Sequence, residues 1–546
     1  ILLTELFIGS KGYLFFIEIF DFRLSLRIGI FIILILAWFI KIILNSDKYL
    51  FNKSFKYYYQ YLILFVFIII GIINGLAHSS FKLAFFDFNG WIYFAILPVL
   101  IAIIKDSSII EKVINIFLAC ITYLSVKTIL LYILFIHQFN LNLLPIYRWV
   151  RDSGVGEITK INDNFYRIFF QAHLFLVIGL ILLFILIIYS KKVEILKKHN
   201  IYLLATLVLS ALLISFSRSF WLGMFSALVA LFILFIIIEK PKLIKVFSTF
   251  TPLILIFLTS VLFINLIALD FSGNLQNRIN DSTDEPAASS RINQLVPLYE
   301  AIKYKPVLGY GFGKTVTYIS EDPRIRQVSP DGTYSTYAFE WGYLDIWLKL
   351  GLFGLLAYFY LLGKIIIDCL SKLNSNIIYL WLLLSTLALI ITSIFSPYLN
   401  HPLGIGLIIL ITVILNYLDL NEKNSHMMPL SCINFDKKKE NITNKNIHNV
   451  NQSTIPGGEI LEGFSSDMGI GGVSYVPDDQ CPDGHTKVGN QCHQLCRGCN
   501  YTDEKGIFGD SHLPAFNMCG ENGLFSGIDM NGQIQCSLKN KNENEN

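Results

Sequence analysis

The stretch IYLLATLVLSALLISFSRSFWLGMFSALVALFILFIII, residues 201–238, is almost uniformly apolar and contains one charged residue, Arg218. A helix needs about 20 apolar residues to cross the hydrocarbon core of a membrane. The runs on either side of Ser217-Arg218-Ser219 therefore predict two transmembrane helices joined by a tight turn. The whole chain of 546 residues is 54% hydrophobic and only 15% charged, well below the charge of a typical soluble domain.

Similar runs recur from residue 28 to residue 418 and predict an all-α polytopic membrane protein, because an isolated span in lipid must satisfy its own backbone hydrogen bonds. The predicted spans are 26–44, 57–79, 88–104, 113–137, 166–189, 200–216, 218–238, 247–269, 340–363, 377–396 and 402–418. Residues 1–20 predict the remainder of another span, which gives about 11–12 helices. Because the chain begins with Ile, we expect an initial segment to be missing.

Lysine residues in alternate short loops predict the orientation, since Lys and Arg accumulate on the cytoplasmic side. The lysine-rich loops are 45–56, 105–112, 190–199, 239–246 and 364–376. The turn at Ser217 and the loops 80–87, 138–165, 270–339 and 397–401 are then extracytoplasmic. The large loop 270–339 is itself basic, which long loops tolerate.

Beyond the membrane domain, residues 1–420, the composition becomes polar. Residues 421–470 are rich in Asn, Lys, Ser and Gly and predict a disordered linker. Residues 471–546 predict a small module with six cysteines: Cys481, Cys492, Cys496, Cys499, Cys519 and Cys536. Outside the cell these could form three disulfides, whereas inside it the Cys492–Cys499 cluster with His493 could bind zinc. The sequence leaves both alternatives open.

Arginines at the ends of predicted spans are the first candidates for a functional site. A charge at membrane depth costs roughly 2.5–3.5 kcal/mol, so Arg218 either snorkels at the interface or faces a partner or an anionic substrate. Arg167 begins the preceding aromatic span, and Arg278 and Arg291 lie in the large loop. Guanidinium groups bind phosphate bidentately, so these arginines predict an anion-binding patch. His173 is predicted to be packed or hydrogen-bonded.

The large loop has predicted structure of its own. Residues 291–304 have apolar residues at helical spacing and predict a short amphipathic helix on or near the membrane. Pro306 ends this helix, and Gly309, Gly311 and Gly313 allow a tight backbone path. The glycines do not follow a strand or open a helix, which excludes a dinucleotide-binding fingerprint.

This part of the large loop resembles the signature loop of the O-antigen ligase and O-antigen polymerase family. The resemblance lies in Arg291, the helix that follows it, and then Pro306-Val307-Leu308-Gly309-Tyr310-Gly311. In that family an Arg stands four residues before a frequent Trp, here Leu295, and a Pro-Leu-x-Gly-x-Gly element follows eleven residues later. Ser217-Arg218-Ser219 and the stretches 342–355 and 396–404 resemble further family elements in the same order. The resemblance covers about residues 5–418 and excludes the C-terminal module.

The resemblance implies a membrane glycosyltransferase of O-antigen, lipopolysaccharide or other surface polysaccharide biosynthesis. It would polymerise or ligate glycan units linked to polyprenyl (undecaprenyl) diphosphate on the outer face of the cell inner (cytoplasmic) membrane. Its partners would be this donor, a glycan, lipid or protein acceptor, membrane lipids and a chain-length regulator protein, without nucleic acid, cofactor or metal.

The resemblance also implies roles for individual residues. Arg218 and Arg291 would be catalytic, because fixed guanidinium groups stabilise the charge of a departing diphosphate. The implied substrate-binding residues are Arg167, Arg278, Gly309 and Gly311.

The proton acceptor departs from the family pattern. Ligases of the family usually carry a His shortly before the span that follows the loop, but residues 331–340, DGTYSTYAFE, contain none. Glu340 is the best replacement and Asp331 the second, since a carboxylate can accept the proton of an acceptor hydroxyl. Alternatively, Glu340 only stabilises the N-terminus of the next helix. The missing His favours a polymerase over a ligase.

Two other functions compete with the transferase. A transporter or flippase of polysaccharide or lipid-linked oligosaccharide would show internal repeats and broken helices near mid-membrane, and we find no convincing repeat. An adhesive or sensory protein would act through the Cys-rich module.

Overall fold

The computed structural model describes residues 1–9, 16–19, 22–45, 55–162, 165–189, 198–268, 273, 286–321, 325–326 and 329–423, together with short strands between residues 474 and 538. The chain divides into two compact units, one containing residues 1–425 and the other most of residues 426–546.

The helices of the first unit are α1 (Leu2–Ile8), α2 (Leu26–Asn45), α3 (Tyr58–His78), α4 (Phe81–Phe88), α5 (Leu97–Ile103), α6 (Ser107–His137), α7 (Leu144–Asp152), α8 (His173–Ile188), α9 (Lys198–Ile214), α10 (Arg218–Glu239), α11 (Leu243–Ile267), α12 (Pro286–Tyr304), α13 (Gly342–Ser371), α14 (Ile377–Phe395) and α15 (Pro402–Lys423). Short 3₁₀ helices span Asn89–Ile96 and Tyr398–Asn400. The strands form three antiparallel hairpins: β1 (Phe16–Ile19) with β2 (Phe22–Ser25), β3 (Gly156–Asn162) with β4 (Phe165–Phe170), and β5 (Val316–Ile319) with β6 (Thr333–Thr336).

Within the described residues, nine helical segments are long and apolar enough to cross a membrane: Arg27–Leu44, Tyr58–His78, Phe81–Ile103, Ser107–His137, Arg218–Glu239, Leu243–Ile267, Gly342–Ser371, Ile377–Phe395 and Pro402–Leu420. Two shorter apolar helices span His173–Ile188 and His199–Ile214. These segments correspond to the eleven predicted spans and confirm the all-α polytopic membrane class.

The start of the predicted span 166–189 is wrong. Residues Phe165–Phe170 form strand β4 instead, which pairs with β3 so that Arg167 lies opposite Thr159. Helix α8 begins only at His173. Aromatic residues favour a half-buried strand, and the partner strand supplies the hydrogen bonds that a helix would otherwise make internally.

The predicted loop 80–87 is also wrong, because Phe81–Phe88 is a helix. Ser80 caps it: the Ser80 side-chain oxygen accepts from the Leu83 N–H over 3.4 Å. Six of its eight residues are Phe, Leu or Ala, and a 3₁₀ segment continues the span into α5. This membrane span therefore begins at Phe81, earlier than the predicted start at residue 88.

The large loop packs against the start of α13. Helix α12 confirms the predicted amphipathic helix and ends at Tyr304, just before Pro306. Its buried side chains Leu298 and Ile302 form one apolar cluster with Val316, Phe339 and Leu348. We call the side of the bundle that carries residues 286–340 the loop end.

The second unit contains two small sheets. Strands β7 (Ser474–Tyr475), β9 (Gln491–Gln494) and β8 (His485–Val488) lie in that order, and β10 (Gly523–Ile528) pairs with β11 (Ile534–Leu538). Cys481, Cys496, Cys499 and Cys519 lie outside the described residues, so disulfide and zinc both stay predictions. The predicted linker 421–470 lies outside them too, apart from the end of α15.

Candidate active site

Strand β4 and the turn between α9 and α10 meet at the loop end. The Arg167 Nε donates to the carbonyl oxygen of Ser215 over 3.0 Å. Its Nη1 lies 3.6 Å from the Glu157 Oε2, and its guanidinium carbon lies 5.1 Å from the centre of the Phe169 ring. Because Ser215 precedes Arg218 by only three residues, the strand brings Arg167 next to the turn that carries Arg218.

The first turn of α10 is fixed to the end of α14. The Ser396 hydroxyl donates to the Ser219 hydroxyl over 3.0 Å, and the Thr392 hydroxyl lies 3.4 Å from the Ser219 carbonyl oxygen. A Cβ at Gly223 would lie 2.2 Å from the Thr392 Oγ1, so this glycine permits the close approach of the two helices. Arg218 thus stands on a rigid helix N-terminus, which itself favours anions.

Arg291 and Glu340, predicted from separate motifs, form an ion pair in which the Arg291 Nε donates to the Glu340 Oε2. The Trp341 Nε1 donates to the Arg291 carbonyl oxygen over 2.8 Å, which ties α12 to the start of α13. The Trp341 ring packs on Phe395, the last residue of α14, at 5.4 Å between ring centres. Both the ion pair and the Arg218 turn are therefore attached to the same end of α14.

The structure brings four of the predicted site residues to one end of the bundle: Arg167, Arg218, Arg291 and Glu340. Arg278 lies outside the described residues. The pairing with Arg291 orients the Glu340 carboxylate, while 40% of the Arg291 side chain and 45% of the Glu340 side chain remain accessible. The catalytic roles of these residues stay predictions.

Asp331, the second candidate base, lies in the turn between β5 and β6. Its carboxylate accepts from the Ser329 hydroxyl over 2.6 Å and from the Thr333 backbone N–H over 3.1 Å. These hydrogen bonds, that from Ser329 foremost, lower the pKa of Asp331 to about 2. A carboxylate with so low a pKa is a weak proton acceptor near neutral pH.

Gly309 and Gly311 fit backbone against backbone between α3 and α13. Both have positive φ, at 68° and 84°. A Cβ at Gly311 would lie 2.1 Å from the Gly75 nitrogen, and one at Gly309 would lie 2.6 Å from the nitrogen of Gly351, where α13 is kinked. These contacts give the glycines a packing role, and substrate contact remains a prediction.

The sequence reasoning missed a buried charge network near the same end. The Lys349 Nζ lies 2.5 Å from the Asp87 Oδ1 and 2.6 Å from the Asp345 Oδ1, and all three side chains are at most 5% exposed. The Asp87 Oδ2 accepts from the Gly313 N–H over 2.7 Å, and Asp345 accepts from the Asn400 side chain. In the sequence, the signal that could have revealed this network was Asp345 and Lys349, four residues apart inside an apolar span.

His173 is buried and hydrogen-bonded, as predicted. Its Nδ1 accepts from the Phe170 N–H over 3.4 Å, so its Nε2 carries the proton donated to the Thr128 hydroxyl 2.9 Å away. Lys127, on α6, lies 3.9 Å from the centre of the Phe170 ring.

A bundle of apolar spans that gathers arginines, a paired carboxylate and a helix N-terminus at one end defines a polytopic membrane protein with a site suited to an anionic substrate. Residues 203–359 match the family model described as O-antigen ligase, which supports an O-antigen ligase/polymerase-like family. No curated protein and no solved structure matches the chain significantly. The matched segment contains Arg218, Arg291, the glycine run and Glu340.

The match and the apolar helices support a membrane enzyme of surface polysaccharide biosynthesis, and the matched family implies a glycosyltransferase-like activity on a lipid-linked glycan. Arg167 and Asp87 precede the matched segment, so the match does not include them; Arg167 was predicted from the sequence, and Asp87 is identified by its contacts alone.

Proposed function

We propose that the protein polymerises glycan units carried on polyprenyl diphosphate at the outer face of the cytoplasmic membrane. The observation that carries the proposal is the attachment of two charge clusters to the same end of α14. One contains Arg167 and the Arg218 helix N-terminus, and the other contains the Arg291–Glu340 pair. The first cluster binds the diphosphate of the donor, and the second cluster accepts the proton of the acceptor hydroxyl.

In the proposed reaction, the bond between the donor sugar and the diphosphate oxygen breaks, and the electron pair leaves with the diphosphate. The acceptor hydroxyl oxygen forms the new glycosidic bond, and its proton passes to the Glu340 carboxylate. Arg218 and Arg167 neutralise the charge that develops on the diphosphate, which is the effect that fixed donors at a dry site supply best. Arg291 holds the carboxylate in place before the transfer.

A polymerase is favoured over a ligase because Glu340 occupies the region in which the family's ligases carry a His. The acceptor is then a second lipid-linked glycan, and a chain-length regulator protein is an expected partner.

The test is glycan analysis of a strain that lacks the protein. Loss of all attached glycan indicates a ligase, whereas attachment of a single repeat unit indicates a polymerase. Complementation with Arg218→Gln should fail although the variant inserts in the membrane, because the amide carries no charge for the diphosphate. Normal chain lengths in this variant would refute the proposal. Lys242→Gln, in the turn after α10 at the opposite end, is the matched control.

A further inference from the structure

The turn between α14 and α15 lies at the loop end, and we call it the outer turn. It consists of Ser396-Pro397-Tyr398-Leu399-Asn400-His401. Tyr398 and Leu399 are at most 6% exposed, so the outer turn is packed into the bundle. Polar groups in such a turn are satisfied by neighbouring elements, and here those elements carry the candidate site residues.

The first part of the outer turn binds the two elements that carry the arginines. The Ser396 hydroxyl donates to the Ser219 hydroxyl over 3.0 Å, in the first turn of α10. The Tyr398 hydroxyl donates to the Gln171 carbonyl oxygen over 2.9 Å, directly after β4. The Tyr398 ring also packs on Phe220 of α10, at 5.7 Å between ring centres. The outer turn therefore holds β4 and α10 together.

The second part of the outer turn binds α13. The Asn400 Nδ2 donates to the Asp345 carboxylate, and the Leu399 carbonyl oxygen accepts from the Tyr358 hydroxyl over 2.8 Å. A Cβ at Gly90 would lie 2.7 Å from the Asn400 carbonyl oxygen, so the segment after α4 also fits closely against the turn. The outer turn is thus bonded to the first turn of the helix that follows the proposed proton acceptor by two residues.

Asp345 extends this contact into the buried charge network. The Lys349 Nζ lies 2.6 Å from Asp345 and 2.5 Å from Asp87, and Asp87 accepts from the Gly313 N–H. A buried ion cluster is weak evidence for stability, because the cost of desolvation offsets the attraction. Satisfied polar networks of this kind instead restrict the packing to one arrangement. The network therefore fixes how α4, the glycine run and α13 meet at the outer turn.

The proposed transfer requires its two charge clusters at a fixed separation. The acceptor hydroxyl must reach the sugar carbon that the diphosphate leaves, and a misplacement of about 1 Å can slow such a reaction about 100-fold. The arginines lie on β4 and α10, whereas Glu340 precedes α13. The outer turn is hydrogen-bonded to all three elements.

We infer that the outer turn positions the two clusters of the proposed active site relative to each other, with Tyr398 and Asn400 as positioning residues. Tyr398 acts through the backbone at the end of β4, and Asn400 acts through Asp345 and the network behind it. The inference rests on the proposed transfer reaction and adds to it two residues that act without touching the substrate.

Steady-state kinetics of the purified full chain test the inference, with lipid-linked repeat units from the deletion strain as the substrate. Asn400→Ala removes the hydrogen bond to Asp345 and leaves both clusters intact. It should therefore lower kcat per folded molecule about 10- to 100-fold and change KM less than about twofold. Thermal unfolding in detergent measures the folded fraction.

A rescue variant separates positioning from a merely structural effect. Asp345→Asn/Asn400→Asp exchanges the amide and the carboxylate, so it keeps both the hydrogen bond and the charge of the network. It should restore most of the kcat that Asn400→Ala loses. Tyr398→Phe removes only the hydroxyl that binds Gln171 and should lower kcat several-fold, and it decides the matter if Asn400→Ala does not fold.

Asn376→Ala is the matched control, at the opposite end of α14. The Asn376 side chain accepts from the Ile378 N–H over 2.9 Å and caps this helix. Its replacement should lower the Tm, because a cap is lost, and should leave kcat per folded molecule unchanged.

Normal kcat in both Asn400→Ala and Tyr398→Phe would overturn the inference. An exchange variant no more active than Asn400→Ala, or an equal loss of kcat in Asn376→Ala, would overturn it too. If the outer-turn variants are normal while Arg218→Gln is inactive, only this inference fails. Normal chains in Arg218→Gln would remove the proposed function itself.

Discussion

The carboxylate of Glu340 has two roles open to it, and its contacts bear on both. It lies two residues before the first residue of α13, where a negative charge is favourable near a helix N-terminus, and it pairs with Arg291 on the loop helix. A residue that only stabilised the helix would not need a guanidinium partner 49 residues away. Asp331 satisfies its carboxylate within its own turn, which leaves Glu340 as the better proton acceptor.

Glu340→Gln separates these roles. The amide keeps the size and hydrogen-bonding capacity of the side chain but cannot accept the proton, so we expect polymerisation to fall roughly 100- to 10,000-fold with membrane insertion unchanged. Chain-length distributions in complemented cells measure the effect. Glu300→Gln, which changes an exposed carboxylate on the same loop helix, should leave chain lengths unaltered. A Glu340→Gln variant with near-normal activity would mean that Glu340 is only a helix-stabilising residue.

At the scale of elements, hydropathy predicts the membrane spans, because the thickness of the lipid imposes their length. It does not predict which strands or side chains pair with each other. The runs on either side of Ser217-Arg218-Ser219 became α9 and α10 as expected. The aromatic run at Arg167 instead paired with β3, a choice that depends on a second strand. The Arg291–Glu340 pair and the Lys349 network join residues far apart in sequence, so only the folded chain reveals them.

Gly311 tests whether the glycine run is needed for the fold. Its φ of 84° and the 2.1 Å approach of a Cβ to the Gly75 nitrogen predict that Gly311→Ala is unstable. Strained backbone of this kind costs about 1–3 kcal/mol before the steric clash is added. Thermal unfolding in detergent should show a lower Tm than for Gly363→Ala, whose Cβ would meet nothing within 4 Å. A stable but inactive Gly311→Ala would instead favour direct substrate contact.

At the scale of the whole molecule, α13 carries a buried charge cluster near each end. Lys349 pairs with Asp87 and Asp345 at the loop end, and Asp368 lies 3.3 Å from Lys56 at the other. From the kink at Gly351 to Asp368 the helix runs 17 residues, or about 26 Å, which is close to the thickness of the hydrocarbon core. The two clusters therefore mark the two membrane surfaces, and the proposed site lies at one of them.

The orientation of these surfaces determines the compartment of the Cys-rich module. Helix α15 begins at Pro402 near the loop end and reaches the opposite end at Asp419, which pairs with Lys372 and Lys56. If the loop end is extracytoplasmic, the chain leaves the membrane on the cytoplasmic side, where thiols stay reduced and zinc binding is favoured over disulfides.

Labelling of intact cells with a membrane-impermeant maleimide, followed by peptide mapping, tests this arrangement. Ser335→Cys in β6 is exposed at the loop end and should be labelled, whereas Ser248→Cys near the start of α11 should react only after the cells are opened. The native cysteines at 481–536 should behave like Ser248→Cys, because positive residues retain their loops in the cytoplasm. Labelling of Ser248→Cys in intact cells would invert the topology and place the proposed site in the cytoplasm, away from an extracytoplasmic acceptor.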